Sequence, residues 1–91
     1  MNIVSGNLSV IWPATYKISV VGVLEESYSD RLGGLTIRNC APDQNTGKPI
    51  VTLTGRLVDQ AALFGVLNAL YNMRMPLLAV ECMRIDEPKG E

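Results

Sequence analysis

The residues that could carry chemistry in this chain are a single strand carboxylate and two thiols, because the sequence contains no histidine. Without imidazole, Ser-His-Asp and Cys-His nucleophilic sites are excluded, and so are zinc sites built on histidine. Glu81 lies within the apolar stretch LLAVECMRI at 77–85. Burial would favour its neutral form and suit it to acid–base work, but we favour the simpler interpretation of a carboxylate that faces solvent.

The two cysteines, Cys40 and Cys82, are too few and too far apart for a disulfide framework or a CxxC site. We expect both to be buried, reduced thiols. A reactive Cys82 would need a cationic neighbour, and Arg84 is predicted on the same strand face, yet a packed core thiol is the favoured interpretation. The sequence therefore predicts no catalytic, cofactor-binding or metal-ligating residue.

One constellation remains, in which Phe64, Asn68 and Tyr71 follow the i, i+4, i+7 spacing of a helix face. Such a set can line a ligand groove, stack on a protein partner or cover the edge of a core. We favour a partner interface. Gly65 on the same helix and Trp12 near the N-terminus complete the predicted interface or ligand surface.

A helix from Gln60 to Arg74 must position this set. Asp59 is its predicted N-cap, because a carboxylate there accepts hydrogen bonds from the free N–H groups of the first turn. Pro76 stops the helix from continuing. At 3.6 residues per turn the core-facing arc comprises Ala62, Leu63, Val66, Leu67, Leu70 and Met73.

Alternating apolar residues predict strands at 16–25, 35–40, 50–57 and 77–85. The order β-β-β-α-β predicts an α+β fold, a small four-stranded mixed sheet with one amphipathic helix on one face. The first three strands suggest an antiparallel meander, and a crossover runs the third and fourth strands parallel in one sheet. Residues 1–15 form an arm, and we favour an arm that lies over the domain with Trp12 capping the core; the alternative is an extra edge strand that pairs with another subunit.

The 91 residues fit a single domain at 1–91, with a core at 16–85 and a solvated tail at 86–91. With 47% hydrophobic and 19% charged residues the chain is globular, and its formal net charge of −1 argues against a nucleic-acid partner. No apolar run is long enough for a membrane helix, and no signal peptide is visible, so a cytoplasmic location is expected.

The segment VDQAALFGVLN at 58–68, followed by MPLLAV at 75–80, resembles a group of small uncharacterised bacterial proteins with a DQAALxGLL…LPLLSV-type pattern. The resemblance covers roughly the final third of the chain. It implies a soluble bacterial protein with a strand-helix-strand unit, and it carries no activity, cofactor or partner.

The chain has more apolar surface than one helix on one sheet face can hide. Val21, Val23 and Ile50 are predicted on the uncovered sheet face, and Phe64 and Tyr71 widen the apolar sector of the helix. We therefore predict a homodimer, with an unidentified protein partner as the other option. The predicted function is a small non-catalytic oligomeric interaction module; the alternatives are a small-molecule-binding regulatory domain and, least supported, a small enzyme.

Overall fold

The structure, a computed structural model, describes residues 2–4 and 13–86, and side chains are described for 13–86. Five strands form one sheet, an α-helix covers one of its faces, and a short 3₁₀ helix joins the second and third strands. The elements are β1 (Asn2–Val4), β2 (Ala14–Val21), the 3₁₀ helix (Glu26–Leu32), β3 (Thr36–Cys40), β4 (Ile50–Leu57), α1 (Gln60–Asn72) and β5 (Leu77–Ile85). The predicted α+β fold is confirmed. Residues 2–4 of the N-terminal arm form an edge strand, which was not the favoured arrangement, and it pairs with β5 of the same chain and not with another subunit.

The spatial order of the strands is β1-β5-β2-β4-β3. Strand β1 is parallel to β5, and every other neighbouring pair is antiparallel. Because β2 is antiparallel to both β4 and β5, those two strands run in the same direction, as the predicted crossover requires, but β2 lies between them.

The predicted meander is wrong, because β2 pairs with β4 and leaves β3 at the outer edge. The cause lies in the connection at 22–35, which spans the end of the sheet instead of turning back beside β2. Leu24, Leu32 and Leu35 from this connection are all buried in the core. Their burial favours the long path, whereas the loop at 41–49 joins β3 and β4 as a hairpin.

The core lies between α1 and one face of the sheet. Strand β2 alternates strictly, and its even-numbered residues from Ala14 to Val20 are buried against the helix side. The opposite face, which we call the open face, is polar along most of its length. On β2 and β4 its apolar residues are Val21 and Ile50, which lie opposite each other at one end; Val23 is not part of this face because it follows β2 in the connection.

Strand β2 ends four residues earlier than predicted. Gly22 adopts φ +138°, and a Cβ atom placed on it would lie 2.5 Å from the Met75 side chain. The positive φ favours glycine and turns the chain away from the sheet, whereas the end of the flexible Met75 side chain could move aside. Leu24 nevertheless reaches the core, because the Asn39 side chain accepts a hydrogen bond from its N–H (3.1 Å) and donates one to its carbonyl (2.8 Å).

Helix α1 begins where the sequence predicts, with the Asp59 carboxylate accepting a hydrogen bond from the Ala62 N–H at 2.8 Å. It ends at Asn72, two residues before the predicted end. The Met75 N–H donates to the Leu70 carbonyl and the Arg74 N–H to the Tyr71 carbonyl, which together form a Schellman motif.

The predicted core arc of α1 is correct for five of its six residues. Leu63, Val66 and Leu70 are buried, and Ala62 and Leu67 are partly buried against them. Met73 is exposed because it caps the helix instead of continuing it.

Strand β5 contains two irregularities that change which residues face the core. Val80 and Cys82 lie on the helix side, opposite Ile18 and Tyr16. The register then shifts beyond Ser19, so that Leu77 and not the predicted Leu78 packs on the core. Such bulges cannot be read from an alternating pattern, because each inserts one unpaired residue.

Candidate interaction surface

The outward side of α1 is a continuous surface, which we call the helix face. Its exposed residues are Ala61, Phe64, Gly65, Asn68, Tyr71 and Asn72. These positions face outward because Leu63, Val66 and Leu70 anchor the opposite side of the helix in the core. No residue between Gln60 and Met73 is charged, although an exposed helix side is ordinarily rich in charged side chains.

Two large aromatic rings on the helix face are open to solvent. Phe64 is 60% exposed and Tyr71 is 77% exposed. They are seven residues apart, so they lie nearly above one another along the helix. Single exposed apolar residues are ordinary, but two aromatic rings on one side of a helix, two turns apart, form a patch of the kind used for association.

Beside this aromatic pair an apolar groove runs between α1 and the start of β5. It has a volume of about 520 Å³ and contains no charged side chain. Its walls are formed by Phe64, Leu67, Asn68, Leu70, Tyr71, Met75, Pro76 and Leu77. The groove exists because the Schellman turn directs the chain sharply from the end of α1 into β5, leaving Leu67 and Leu77 only partly covered.

Arg74 lines a neighbouring pocket that shares Tyr71, Met75 and Pro76 with this groove. It is the residue after the helix C-cap and has a left-handed backbone, with φ 60°. Glycine normally occupies this position of a Schellman motif, since a side chain there is strained. Among the described residues Arg74 has no ion-pair partner.

The structure places four of the five predicted surface residues together. Phe64, Gly65, Asn68 and Tyr71 all lie on the helix face and are exposed. Trp12 lies outside the described residues. Arg74 was not among the residues predicted for this surface. Its position just after the last helical turn and before Met75-Pro76 could have indicated that it lies beside the helix face.

The candidates for reactive chemistry lie away from this surface. Glu81 is on the open face, half-buried, in register with Lys17. Cys82 packs against the core opposite Tyr16, and burial together with the Cys82 thiol raises the pKa of the Tyr16 hydroxyl. Arg84 faces the other side of β5, opposite Thr15, because of the second bulge; the predicted placement of Arg84 beside Cys82 is therefore wrong.

Cys40 also departs from the prediction of a buried thiol. It is exposed on the open face at the end of β3, an edge strand with no neighbour beyond it among the described residues. Its sulfur lies 3.8 Å from the Thr52 hydroxyl.

An ion-pair cluster at the end of the open face was not predicted. The Asp86 carboxylate accepts hydrogen bonds from Nε of Arg56 (2.8 Å) and Nε of Arg84 (3.1 Å). Arg56 is on β4 and Arg84 on β5, so one carboxylate joins two strands across β2. The hydrogen bond from Arg56, together with the positive charges of both guanidinium groups, lowers the pKa of Asp86.

Within residues 2–4 and 13–86, no three Cys, Asp or Glu side chains come close enough to hold a metal ion. Helix α1 has 13 residues, and no helix in these ranges has the length and apolar character of a membrane span.

Comparison with known proteins gives one match. A family model described as a domain of unknown function (DUF8691) matches residues 15–81, which include β2 from its second residue, the helix face and the first part of β5. No curated protein and no solved structure matches the chain.

Proposed function

The chain belongs to the DUF8691 family, a domain of unknown function, and we propose that it is a small non-catalytic interaction module that binds protein through the helix face. The observation that carries this proposal is an exposed helix side with two open aromatic rings and no charged residue. Aromatic residues dominate the binding energy of protein interfaces, and charged residues are depleted at interface centres.

The partner in this proposal is a second copy of the chain, which makes a homodimer. A formal net charge of −1 gives little electrostatic repulsion between copies, and the uncharged helix face gives none at the contact. Two-fold symmetry lets one patch serve both sides of the interface, which suits a small chain with a single such patch.

Sedimentation velocity at micromolar concentrations tests the homodimer. The wild-type chain is expected to sediment as a dimer, and Phe64→Glu should be monomeric, because it places two charges in a desolvated contact. Met83→Glu is the matched control, since Met83 is 58% exposed, similar to Phe64, but lies on β5. It should leave the dimer intact.

Two outcomes contradict this prediction. Equal loss of the dimer in both variants would mean that the helix face is not the interface. A wild-type chain that stays monomeric would remove the homodimer and favour the other candidate, a small-molecule-binding domain that uses the groove of about 520 Å³ beside the helix face.

The same proposal includes a bacterial, cytoplasmic setting. It is supported by the resemblance of the segments at 58–68 and 75–80 to small bacterial proteins, and by the free thiols of Cys40 and Cys82, which suit a reducing compartment.

A further inference from the structure

We propose that two copies of this chain pair through their helix faces with α1 antiparallel to the partner's α1, about a two-fold axis near residue 67. This inference rests on the homodimer proposed above and adds its geometry. It follows from how the exposed residues divide along the helix, from where the nearest charges lie, and from the area that the contact must cover.

The helix face consists of two rows. At 100° per residue, Phe64 and Tyr71 form one row, next to the groove, whereas the second row is made of small residues and amides. That second row comprises Ala61, Gly65, Asn68 and Asn72. The small-residue row runs from Ala61 to Asn72, nearly the whole of α1, and the aromatic row spans its middle from Phe64 to Tyr71, so the face has a large-residue edge and a small-residue edge.

In an antiparallel pair, each row packs against the same row of the partner. The two-fold axis is perpendicular to both helices. Each residue therefore faces a partner residue of the same row that lies at the same distance from the axis but on its other side along the sequence. Phe64 then meets the partner's Tyr71, and this aromatic contact occurs twice. In the other row Gly65 meets the partner's Asn68.

Gly65 provides the space that this register needs. A Cβ atom placed on Gly65 would meet nothing within 4 Å, so the surface there is open and shallow. The partner's Asn68 side chain fits over it, and the absence of a side chain lets the two helices approach closely. A parallel two-fold pairing would instead set each small-residue row against the partner's aromatic row, so Phe64 would no longer meet the partner's Tyr71.

The charges that flank the helix face favour the same direction. Asp59 precedes α1 and Arg74 follows it, and no charged residue lies between them. Antiparallel pairing brings the Arg74 end of each copy beside the partner's Asp59 end, so opposite charges are adjacent. Parallel pairing would bring like charges together and would also align the two helix dipoles unfavourably.

The required area excludes a contact limited to the aromatic rings. At 60% and 77% exposure, Phe64 and Tyr71 offer roughly 200–340 Å² per copy, taking about 150–250 Å² for each whole ring. A stable interface takes roughly 600–1,000 Å² from each partner. The two helices must therefore lie along each other over the length of α1, because a steep crossing would bury only the rings.

Cysteine cross-linking tests this geometry, because the register predicts which single positions can link. The experiment uses the full chain with Cys40→Ser and Cys82→Ala, after sedimentation has shown that this background remains a dimer. Under mild oxidation Asn68→Cys should cross-link to itself, since the two copies of residue 68 lie about 3 Å apart along the helix axis. Asn72→Cys alone should not, because its two copies lie about 15 Å apart along that axis, beyond disulfide reach.

A mixture provides the complementary arm. Ala61→Cys and Asn72→Cys, each inert alone, should cross-link to each other when combined. Self-linking of Asn72→Cys, with no link between positions 61 and 72 in the mixture, would show parallel helices and overturn the inference while the interaction module stands. A dimer that none of these variants cross-links would overturn both the geometry and the helix face as interface, and a monomeric wild type would overturn the proposed homodimer itself.

Discussion

At the scale of single residues, Arg74 has an unfavourable backbone conformation, because among the described residues it is the non-glycine residue with a positive φ. Its left-handed conformation, φ 60°, belongs to a helix-ending turn that glycine usually completes. A non-glycine residue in this region costs about 1–2 kcal/mol, whereas glycine loses about 0.5–1 kcal/mol through its greater freedom in the unfolded chain. The cost of a non-glycine residue exceeds the cost of glycine at this position. Arg74 therefore makes the folded chain less stable than glycine would.

Arg74→Gly should therefore raise the free energy of unfolding by roughly 0.5–1 kcal/mol, or a few degrees in Tm for a domain of this size. Thermal unfolding should be measured in the Phe64→Glu background, so that association does not contribute. Arg74→Ala is the control, because it removes the guanidinium but keeps the backbone strain. An equal gain in both variants would show that the charge, not the backbone, is responsible.

At the scale of elements, the connection at 22–35 decides the topology. It contributes Leu24, Leu32 and Leu35 to the core, so it is a packed layer and not a surface loop. Asn39 on β3 holds its first part through two hydrogen bonds to the backbone of Leu24. This single side chain therefore ties the path of the connection to the edge strand.

Asn39→Asp should lower the free energy of unfolding by about 1–3 kcal/mol at neutral pH, because a carboxylate cannot donate to the Leu24 carbonyl and leaves it without a partner. Urea denaturation measures the loss. Gln44→Glu, an amide-to-acid change at an exposed position of the loop at 41–49, is the control and should have little effect. The Asn39→Asp deficit should shrink at acid pH, where the protonated carboxyl can donate again; a deficit independent of pH would contradict this account.

At the scale of the whole molecule, the two sides of the sheet differ in kind. One side holds the core and α1, whereas the open face displays threonines, lysine and arginines. Its ion-pair cluster connects β4 and β5 across β2 through Asp86, whose backbone N–H also donates to the Pro13 carbonyl at 2.8 Å. The cluster thus closes the end of the sheet where β2 begins and β5 ends.

This cluster should make stability depend on acid pH. The pKa of Asp86 is lowered in the folded state, so the folded chain binds fewer protons there than the unfolded chain. The contribution is present above the unfolded pKa and is lost as the pH falls through the folded one. Asp86→Asn should therefore destabilise the chain more at pH 7 than at pH 2.5 in urea titrations.

The control for this prediction is Asp30→Asn, which changes an exposed carboxylate on the 3₁₀ helix that has no ion-pair partner among the described residues. Its effect should be smaller at pH 7. High salt should reduce the difference between the destabilisation caused by Asp86→Asn and that caused by Asp30→Asn, because ions screen exposed charges. An Asp86→Asn effect unchanged by both pH and salt would assign the loss to packing.

Local patterns were sufficient for α1 and for the strand faces of β2, since a cap at Asp59 and regular spacing need no knowledge of distant residues. Non-local pairing was not predictable in this way. The neighbour of β2 depends on whether the connection buries its leucines, and the positions of Leu77 and Arg84 depend on bulges against β2. Gly55 illustrates the difference: a glycine in β4 leaves space beside the strand, but only the structure shows that Leu35 fills it.

The candidate surface was predictable for the same reason as the helix. Phe64, Gly65, Asn68 and Tyr71 share a face through helical spacing alone, so their proximity follows from sequence. The groove beside them depends on Leu77, which reaches the core through the bulged register of β5, and so it required the three-dimensional structure.

The position of β5 between β1 and β2 has a consequence for synthesis. Both neighbours leave the ribosome long before β5, and neither can complete its hydrogen bonding until this later strand arrives. Strand β1 has no partner at all among the described residues in the meantime. The place of β5 between the edge strand β1 and the central strand β2 therefore stays empty until late, and filling it is a long-range step of the kind that makes folding slow.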